Sequence, residues 1–484
     1  DGAPAVRIRG IMDKEKTVKR PDLGGGSIGG LVAKLALPAI AAQLVTLLYN
    51  LADRIYVGAI EGAGTEAPAA LGVVFPITLI VSAFGYLVGL GGAPIASMRM
   101  GEGRTAEANK VLCNALVMLL AFGAVLTVVV LTAGDALLVA FGAPGKLGNG
   151  IPEAIDYASD YLFVYGMGSI PVMLVIGLNP YITAQGRSVT AMFTTLIGAV
   201  LNIGLDPIFV FAAGLGVRGA AIATVISQTA SAAFAAAFFM RRASALRFRA
   251  SDMRPNLKIM LSVATLGLSP FIMTATESAV QIVFNVNLHM STGGNEDYTA
   301  ALTVMMSALQ MVSMPLNGLG TGVQPLISYN YGAGKTDRVK KAVRTTTLAA
   351  LVLSTSVWIV SLTVPQIYAA IFGAEESVAA LVKQYTPFFM MGTVMFFAQM
   401  TWQNTFVALG QAKVSIFLAC LRKIVLLIPL CFILPVMLGA FGVFLSEGIA
   451  DAVAGVITAL TFLFRFPRIV KKREEKLNCD DENR

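Results

Sequence analysis

Charged residues are scarce in this chain. Only 13% of its 484 residues are Asp, Glu, Lys or Arg, whereas about a quarter of the residues in soluble domains are charged. With a mean hydropathy of +0.74, this shortage excludes a soluble globular protein. Basic residues still outnumber acidic ones, 36 to 28. In a membrane protein such an excess reflects basic loops on one side of the bilayer, so we expect no nucleic-acid partner.

Histidine and cysteine are also scarce. The chain has one histidine, His289, and four cysteines that show no C-x-x-C or other ligand spacing. A histidine relay, a zinc site and disulfides are therefore poor explanations of this sequence. The sequence offers no catalytic constellation either. We expect neither enzymatic activity nor a cofactor, and no metal beyond a coupling ion such as Na⁺.

Long apolar runs dominate what is present. Twelve stretches contain the roughly 20 apolar residues that cross the hydrocarbon core of a bilayer. The sequence therefore predicts an all-α membrane protein with twelve transmembrane helices. The spans are 31–58, 70–97, 111–140, 157–183, 190–212, 217–240, 258–289, 299–328, 342–371, 380–409, 414–438 and 442–466.

The second half of the chain repeats the first. Seven residues between 94 and 143 recur 231 positions later, and three between 185 and 217 recur 226 positions later. The first set is Pro94, Gly101, Gly103, Thr105, Phe141, Gly142 and Ala143, and the second is Gln185, Gly216 and Val217. Two homologous apolar halves are typical of a transporter built from internal repeats, with the substrate passing between them. We expect two pseudo-symmetric lobes of six helices each.

Basic residues indicate the orientation of the helices. Thirty of the 36 Lys and Arg residues lie in three kinds of place: residues 1–34, five connections between spans, and residues 465–484. These connections are 98–110, 184–189, 241–258, 329–344 and 410–413. The alternate connections carry acids instead, such as Glu296 and Asp297. The positive-inside rule places both termini in the cytoplasm, and six spans per half relate the repeats by an axis along the membrane normal.

The spans and their connections define five regions of the chain. We expect a multi-pass protein of the cell (cytoplasmic) membrane that acts as a monomer in the lipid bilayer. Residues 1–11, which precede the first methionine, are expected to be a cloning remnant. The regions are a cytoplasmic N-terminal arm (1–30), an N-lobe (31–240), a basic cytoplasmic linker (241–257), a C-lobe (258–466) and a cytoplasmic tail (467–484).

Residues 332–336, Gly-Ala-Gly-Lys-Thr, are similar to the end of a phosphate-binding P-loop. Tyr329 occupies the position of the first glycine of that motif, and no strand precedes it. The repeat partner, residues 101–105, indicates a turn between two helices instead. We therefore expect an ion gradient, and not ATP, as the source of energy.

Two acidic residues lie deep in predicted helices of the first half. A charge at the bilayer centre costs about 2.5–3.5 kcal/mol, so its default interpretation is functional. Asp53 follows Lys34 by about 19 residues, roughly 28 Å of helix, and Asp206 lies roughly 24 Å along the fifth helix. Asn202 is one turn before Asp206, and Thr224 reaches a similar depth in the sixth helix. These four side chains predict an oxygen-rich site for H⁺ or a small hard cation.

A structural interpretation of the same acids is open. Asp206 could cap a helix break before Pro207, and Asp53 could lie near the external interface in a pair with an arginine. Both positions would then serve folding rather than ion binding.

The second half lacks the first of these carboxylates. Asn285 stands at the position equivalent to Asp53, so the halves are functionally unequal. Glu277 lies in the middle of the seventh helix, with Gln281 and Asn285 one and two turns later. Such a polar stripe faces either a water-filled cavity or another helix. We place these residues, with Gln310 of the next span, in a substrate cavity.

A basic pair lies inside the predicted eleventh helix. Arg422 and Lys423 are roughly 13 Å from its start, and Glu447 and Asp451 lie in the twelfth helix. One alternative is a structural ion-pair cluster, with snorkelling to the cytoplasm open to both bases. The other is a role in binding anionic substrates.

Several motifs indicate a known family. The residues around Leu37-Pro38, with Tyr-Asn-Leu-Ala-Asp-Arg-Ile-Tyr-Val-Gly at 49–58, resemble the first-helix motif of the multidrug and toxic compound extrusion (MATE) family. Three further segments are similar to its DinF-like branch, and the resemblance covers residues 31–466. They are Gln-Gly-Arg at 185–187, Asn-Ile-Gly-Leu-Asp-Pro-Ile-Phe at 202–209, and Gly-Val-Arg-Gly-Ala-Ala-Ile-Ala-Thr at 216–224.

The resemblance implies the MATE/MOP-flippase fold, a V-shaped pair of lobes, and alternating access. It implies export of organic, cationic or amphipathic compounds in exchange for H⁺ or Na⁺. Glu277 corresponds to a seventh-helix acid of other branches, whereas the tenth-helix acid of the sodium-coupled branch has no counterpart in 380–409. The resemblance assigns the coupling cation to Asp53, Asn202, Asp206 and Thr224.

Two other functions are weighed against export. A flippase of the same superfamily, moving a lipid-linked or anionic amphiphile, would have a basic cavity and a lateral opening, and Arg422-Lys423 is the one feature in its favour. An intramembrane enzyme or receptor is disfavoured, because the sequence has neither catalytic residues nor an extramembrane ligand domain.

Overall fold

The computed structural model describes residues 22–60, 66–141, 152–241 and 244–482. Residues 1–11 lie outside these ranges. Within them the secondary structure is entirely helical, and each of the twelve predicted spans corresponds to a helix or to a series of helical segments. We number these spans α1 to α12. The fold class predicted from the apolar runs is therefore confirmed.

The first half contains α1 to α6. α4 is bent by 58° between two segments, and α5 continues past its proline into a π-helical turn. The bounds are α1 Ile28–Gly58, α2 Glu66–Gly101, α3 Thr105–Ala140, α4 Pro152–Met167 with Ser169–Ala184, α5 Ser188–Pro207 with the turn Ile208–Ala212, and α6 Gly216–Met240.

The second half contains α7 to α12. α10 is the most irregular span, because 3₁₀ and π turns interrupt it. The bounds are α7 Leu257–Thr292, α8 Glu296–Gly332, α9 Thr336–Thr363 with Gln366–Ile371, α10 Glu376–Phe389 with Met391–Met395, Ala398–Trp402 and Gln403–Ala408, α11 Ala412–Cys420 with Leu421–Leu427 and Ile428–Leu438, and α12 Ala440–Glu482.

Each half has its own apolar core, and each core accepts the start of a helix from the other half. Leu35 and Ala36, near the start of α1, are buried in the core of the second half. Val263, near the start of α7, is buried in the core of the first half. α1 and α7 occupy equivalent positions in the repeat, so this exchange follows the pseudo-symmetry of the chain.

Glycines let the two halves meet in close contact. A methyl group on Gly101 would overlap the carbonyl oxygen of Tyr329, and one on Gly332 would overlap the carbonyl oxygen of Met98. Gly101 and Gly332 are repeat partners 231 residues apart, and so are Met98 and Tyr329. The contact between α2 and α8 therefore has two equivalent sides, and it needs glycine on both.

These contacts lie at one end of the bundle, which we call the closed end. It includes residues 22–26, the α2–α3 and α8–α9 turns, and the C-terminal part of α12. The guanidinium of Arg338, in α9, donates to the carbonyl oxygens of Gly25 and Gly26 at 2.8 and 2.9 Å. From α12, Arg473 donates to the carbonyl oxygen of Gly332 at 2.7 Å. Both described ends of the chain thus pack on the same turn.

The P-loop-like segment is a helix–helix turn, as predicted. α8 ends at Gly332 and α9 begins at Thr336, with Gly334 at φ 73° and its repeat partner Gly103 at φ 76°. Both angles are in the left-handed region that favours glycine. Lys335 donates to the carbonyl oxygen of Gly24 at 2.8 Å, so its ammonium serves packing at the closed end.

Candidate functional site

A cavity of about 850 Å³ lies between the two halves. Its walls come from α1, α2, α4, α5 and α6 on one side and mainly from α7, α8, α10 and α11 on the other. Methionine and aromatic side chains form much of the apolar lining, including Met306, Met314, Met400, Phe75 and Phe396. This volume lies within the range of sites for drug-sized ligands. The lining ends at Pro94 in α2 and Pro325 in α8, about two turns before Gly101 and Gly332 meet their partners. The close contact between these helices therefore closes the cavity on that side.

The four predicted cation-site residues come together in the first half. The amide nitrogen of Asn202 donates to Asp206 Oδ1 at 3.2 Å and to Thr224 Oγ1 at 3.3 Å. Asp206 is 0% exposed and Asn202 is 3% exposed. Asp53 interacts electrostatically with Asp206. Asp53 and Thr224 line the cavity, so the other two lie behind them, deeper in the half.

α5 supplies the local geometry of this cluster. Asn202 and Asp206 are four residues apart and therefore share one face of the helix. The helix runs through Pro207 and continues as a π-helical turn, Ile208–Ala212. The alternative in which Asp206 caps a break before Pro207 is wrong, because the helix does not end there.

Two oxygens of the cluster remain available to a cation. Among the described residues, Asp206 Oδ2 and Asn202 Oδ1 are buried and have no hydrogen-bond partner. A buried acceptor in this state is costly, at about 1–3 kcal/mol. A proton on the carboxylate or a small cation coordinated by both oxygens would remove that cost. The residues present therefore fit the coupling ion that the sequence indicated.

Tyrosines surround the cluster, and they were not predicted from the sequence. Tyr49, Tyr161 and Tyr165 line the cavity. Tyr161 and Tyr165 stack with their ring centroids 6.2 Å apart. Tyr161 interacts electrostatically with Asp53. The position of Tyr49 could have been predicted, because it precedes Asp53 by four residues and so shares its helix face.

The polar stripe of α7 reaches the cavity only in part. Glu277 lines it, and so does Gln310 from α8. Gln281 is half-buried and Asn285 is exposed, and both lie outside the lining. At about 100° per residue, position 285 is rotated roughly 80° from position 277, which turns the stripe away from the cavity.

The second half holds a buried ion-pair network. Lys423 Nζ is 3.0 Å from Glu277 Oε2. Arg422 Nε is 2.6 Å from Asp451 Oδ1, and its Nη2 is 3.5 Å from Glu447 Oε1. The π-helical turn Leu421–Leu427 carries both bases. Snorkelling is therefore wrong for this pair, since both side chains are buried against acids; the ion-pair alternative describes their geometry.

α10 contributes cavity residues that were also not predicted from the sequence. Gln399 and Gln403 line the cavity, one helical turn apart. Gln399 donates to the carbonyl oxygen of Asp451 at 2.6 Å, and Gln403 donates to Ser269 Oγ at 3.4 Å. Two glutamines at this spacing, in a predicted span (380–409) that contains no Asp or Glu, were the available signal.

Comparison with known proteins identifies the family. A family model described as MatE matches residues 38–208 and 270–433. The chain belongs to the MatE family. This confirms the family that the motifs indicated, and as a MatE protein the chain is a multi-pass membrane transporter and not an enzyme.

Two MatE relatives are multidrug export proteins named MepA. That of Staphylococcus haemolyticus is 25% identical over 431 residues, which are 89% of this chain and 92% of the relative. That of Staphylococcus aureus is 24% identical over 425 residues, 88% and 91% of the two chains. Both comparisons cover nearly the full length of the relatives.

Solved structures agree with this MatE assignment. A transporter of the MOP superfamily from Pyrococcus furiosus superposes with a TM-score of 0.85 at 25% identity, covering 94% of this chain and 99% of the other. A structure described as an outward-facing multidrug resistance MATE family transporter also gives 0.85 at 25% identity, covering 94% and 100%. The twelve-helix, two-lobe architecture is shared with both.

Proposed function

We propose that this MatE protein exports organic, cationic or amphipathic compounds in exchange for H⁺ or Na⁺, by alternating access. Its similarity to multidrug export proteins and the size and mixed lining of the cavity support the substrate class. The observation that carries the ion coupling is the Asp53–Asp206 cluster. It has one side on the substrate cavity and two unpartnered oxygens behind it.

The cluster can link ion binding to the shape of the cavity. Asp53 and Asp206 repel each other when both are charged and dry, and a proton or cation relieves that repulsion. Asp206 directly precedes Pro207 and a π-helical turn, and such interruptions allow a helix to bend. A change of charge at Asp206 can therefore move the cavity-lining part of α5.

The position of the seal supports a particular conformation. The closed end carries both described chain ends, and the distribution of Lys and Arg assigns that end to the cytoplasm. The cavity is then sealed from the cytoplasm in this state and faces outward. The opposite state requires separation of α2 from α8, where Gly101 and Gly332 meet their partners.

The membrane potential can supply useful work to this exchange. A potential of 100 mV is worth about 2.3 kcal/mol per charge moved, and this corresponds to roughly fifty-fold accumulation. This contribution applies when the substrate is neutral, because one net charge then moves in each cycle. Exchange of a monovalent organic cation for one H⁺ or Na⁺ moves no net charge, so the concentration gradient of the coupling ion supplies the work in that case.

The flippase alternative is the weaker proposal. Arg422 and Lys423 line the cavity, as that function requires. Both are already paired with buried acids, so neither offers an uncompensated positive charge to an anionic amphiphile.

Export from proteoliposomes tests the proposal. A fluorescent organic cation is loaded, a ΔpH or ΔNa⁺ is imposed, and export is measured for wild type and Asp53→Asn. We expect one gradient to drive export and the substitution to abolish that dependence. Asp135→Asn is the matched control, because Asp135 is an exposed acid of α3 outside the cavity. Retention of gradient-driven export by Asp53→Asn would show the mechanism to be wrong.

A further inference from the structure

The ion pair between Glu277 and Lys423 lies on the wall of the substrate cavity. The two charged atoms are 3.0 Å apart, and the Glu277 side chain is 30% exposed, whereas that of Lys423 is 5% exposed. Both residues line the cavity, and the Glu277 side chain is the more accessible of the two. A compound in the cavity therefore has readier access to the negative member of the pair.

Lys423 has other acids within range. Arg422 is bound to one oxygen each of Glu447 and Asp451. In the described part of the chain, their second oxygens, Glu447 Oε2 and Asp451 Oδ2, are buried without a hydrogen-bond partner. Lys423 already interacts electrostatically with Glu447. Its flexible four-carbon stem lets the ammonium change partners.

The charges of this network do not balance. Three carboxylates, of Glu277, Glu447 and Asp451, face two bases, Arg422 and Lys423, among the described residues. With all five ionised the network has one excess negative charge. It can therefore accept one further cation without burying an uncompensated positive charge, which would be strongly unfavourable.

We propose that Lys423 is a built-in competitor for the Glu277 carboxylate, and that the cationic group of a substrate takes its place. Lys423 then turns to the second oxygen of Glu447. Met273, one helical turn before Glu277, and Met400 also line the cavity. They supply adaptable apolar contact for the body of the substrate. Glu277 sets the preference for positive charge, and Lys423 sets how tightly a cation must bind to displace it.

This inference rests on the proposed export of organic cations, and it makes a prediction that a merely structural ion pair would not. While Lys423 occupies Glu277, only the fraction of molecules with an open pair can bind the cation, so the apparent affinity is lowered by that fraction. Removing the ammonium should therefore tighten cation binding. A pair that only stabilises the fold would weaken binding, or leave it unchanged, when it is broken.

Equilibrium binding of tetraphenylphosphonium to the purified full-length chain tests the inference, with isothermal titration calorimetry in detergent micelles. We expect Lys423→Met to tighten binding about tenfold and Glu277→Gln to weaken it about tenfold, within the range typical of coupling between sites. Tetraphenylborate has the same shape and the opposite charge. Tetraphenylborate should still bind to Glu277→Gln more weakly than tetraphenylphosphonium binds to wild type.

Lys423→Arg keeps a basic partner for Glu277 and should bind the cation no more tightly than wild type, because a guanidinium pairs with a carboxylate at least as firmly as an ammonium does. Glu296→Gln, at the exposed start of α8, controls for the loss of an acid. The inference would be overturned if monodisperse Lys423→Met bound tetraphenylphosphonium as weakly as wild type or more weakly. It would also be overturned if neither wild type nor Lys423→Met bound tetraphenylphosphonium. If Lys423→Met does not fold, Lys423→Gln carries the same expectation. The assay has no ion gradient, so failure of coupling at Asp53 leaves its result unaffected.

Discussion

At the scale of single residues, Asn202 organises the proposed cation site. The side-chain amide nitrogen of Asn202 has two hydrogens and donates one hydrogen bond to Asp206 Oδ1 and one to Thr224 Oγ1. This holds the carboxylate in place while Asp206 Oδ2 and Asn202 Oδ1 stay without partners among the described residues. The side chain therefore both orients a ligand and offers one.

Replacing Asn202 should impair coupling more than folding. Asn202→Ala removes both hydrogen bonds and a candidate ligand, so we expect a several-fold weaker apparent affinity for the coupling ion. The loss of stability should be about 1–3 kcal/mol. Ion-concentration dependence of export and thermal unfolding measure the two effects separately.

Asn287→Ala is the control for that substitution. Asn287 is buried in α7 outside the cavity lining and donates to the carbonyl oxygen of Val283 at 2.9 Å. Its loss should affect stability without changing ion dependence. Equal ion dependence in Asn202→Ala and wild type would contradict the role given to Asn202.

The residues of this cluster could be predicted because helix geometry fixed them. A constant rise per residue placed Asp53 and Asp206 at one depth, and a spacing of four placed Asn202 beside Asp206. The same geometry, followed over two turns, fails for Asn285, since about 100° per residue accumulates into a large rotation. Partners that depend on tertiary packing, such as Lys423 for Glu277, were beyond a single sequence.

At the scale of elements, irregular helical turns accompany the polar clusters. The π-helical turn Ile208–Ala212 follows Asp206, the turn Ala398–Trp402 contains Gln399, and the turn Leu421–Leu427 contains the basic pair of α11. Such turns are frequent at functional sites. The apolar runs of the sequence predicted these spans as helices, but they do not indicate where a single π-helical turn interrupts an α-helix.

The glycines of α2 give a test at the same scale. A methyl group on Gly91 would overlap the Val263 carbonyl oxygen and lie 2.7 Å from Gly267 Cα in α7. We expect Gly91→Ala to lower the free energy of unfolding by about 1–3 kcal/mol, the usual effect of overpacking. Thermal unfolding measures this effect.

Gly72→Ala is the matched change on the same helix. Gly72 is exposed, and no atom lies within 4 Å of the methyl group that alanine would add. Alanine there should stabilise the helix by up to about 1 kcal/mol, because glycine is a poor helix former. Equal effects at the two positions would show that α2 and α7 do not pack as described.

At the scale of the whole molecule, the two halves share a fold and differ in chemistry. The repeat in the sequence predicted the paired turns. The exchange of α1 and α7 was not predicted, although it follows the same pseudo-symmetry. The repeat also predicted the inequality, because Asn285 replaces the acid of Asp53. The first half contains the carboxylate cluster, the second contains the ion-pair network, and residues of both line the cavity between the halves.

The helical part of the C-terminal tail depends on tertiary contacts. The apolar pattern ends near residue 466, yet α12 continues to Glu482. Arg473 ties this extension to the α8–α9 turn and lies 3.7 Å from Glu102 of the first half. Val470 is buried and Leu477 lies beside Gly334, so a few apolar residues anchor this extension. Its polar contacts across the closed end could not be predicted from the sequence.

Ion movement driven by substrate is the most direct test of the central claim. Proteoliposomes receive an outwardly directed gradient of an organic cation with no initial ion gradient, and lumenal pH and Na⁺ are followed with indicator dyes. We predict uptake of one of these ions as substrate leaves, and its loss in Asp206→Asn. Equilibration of substrate without movement of either ion would contradict antiport through the Asp53–Asp206 cluster.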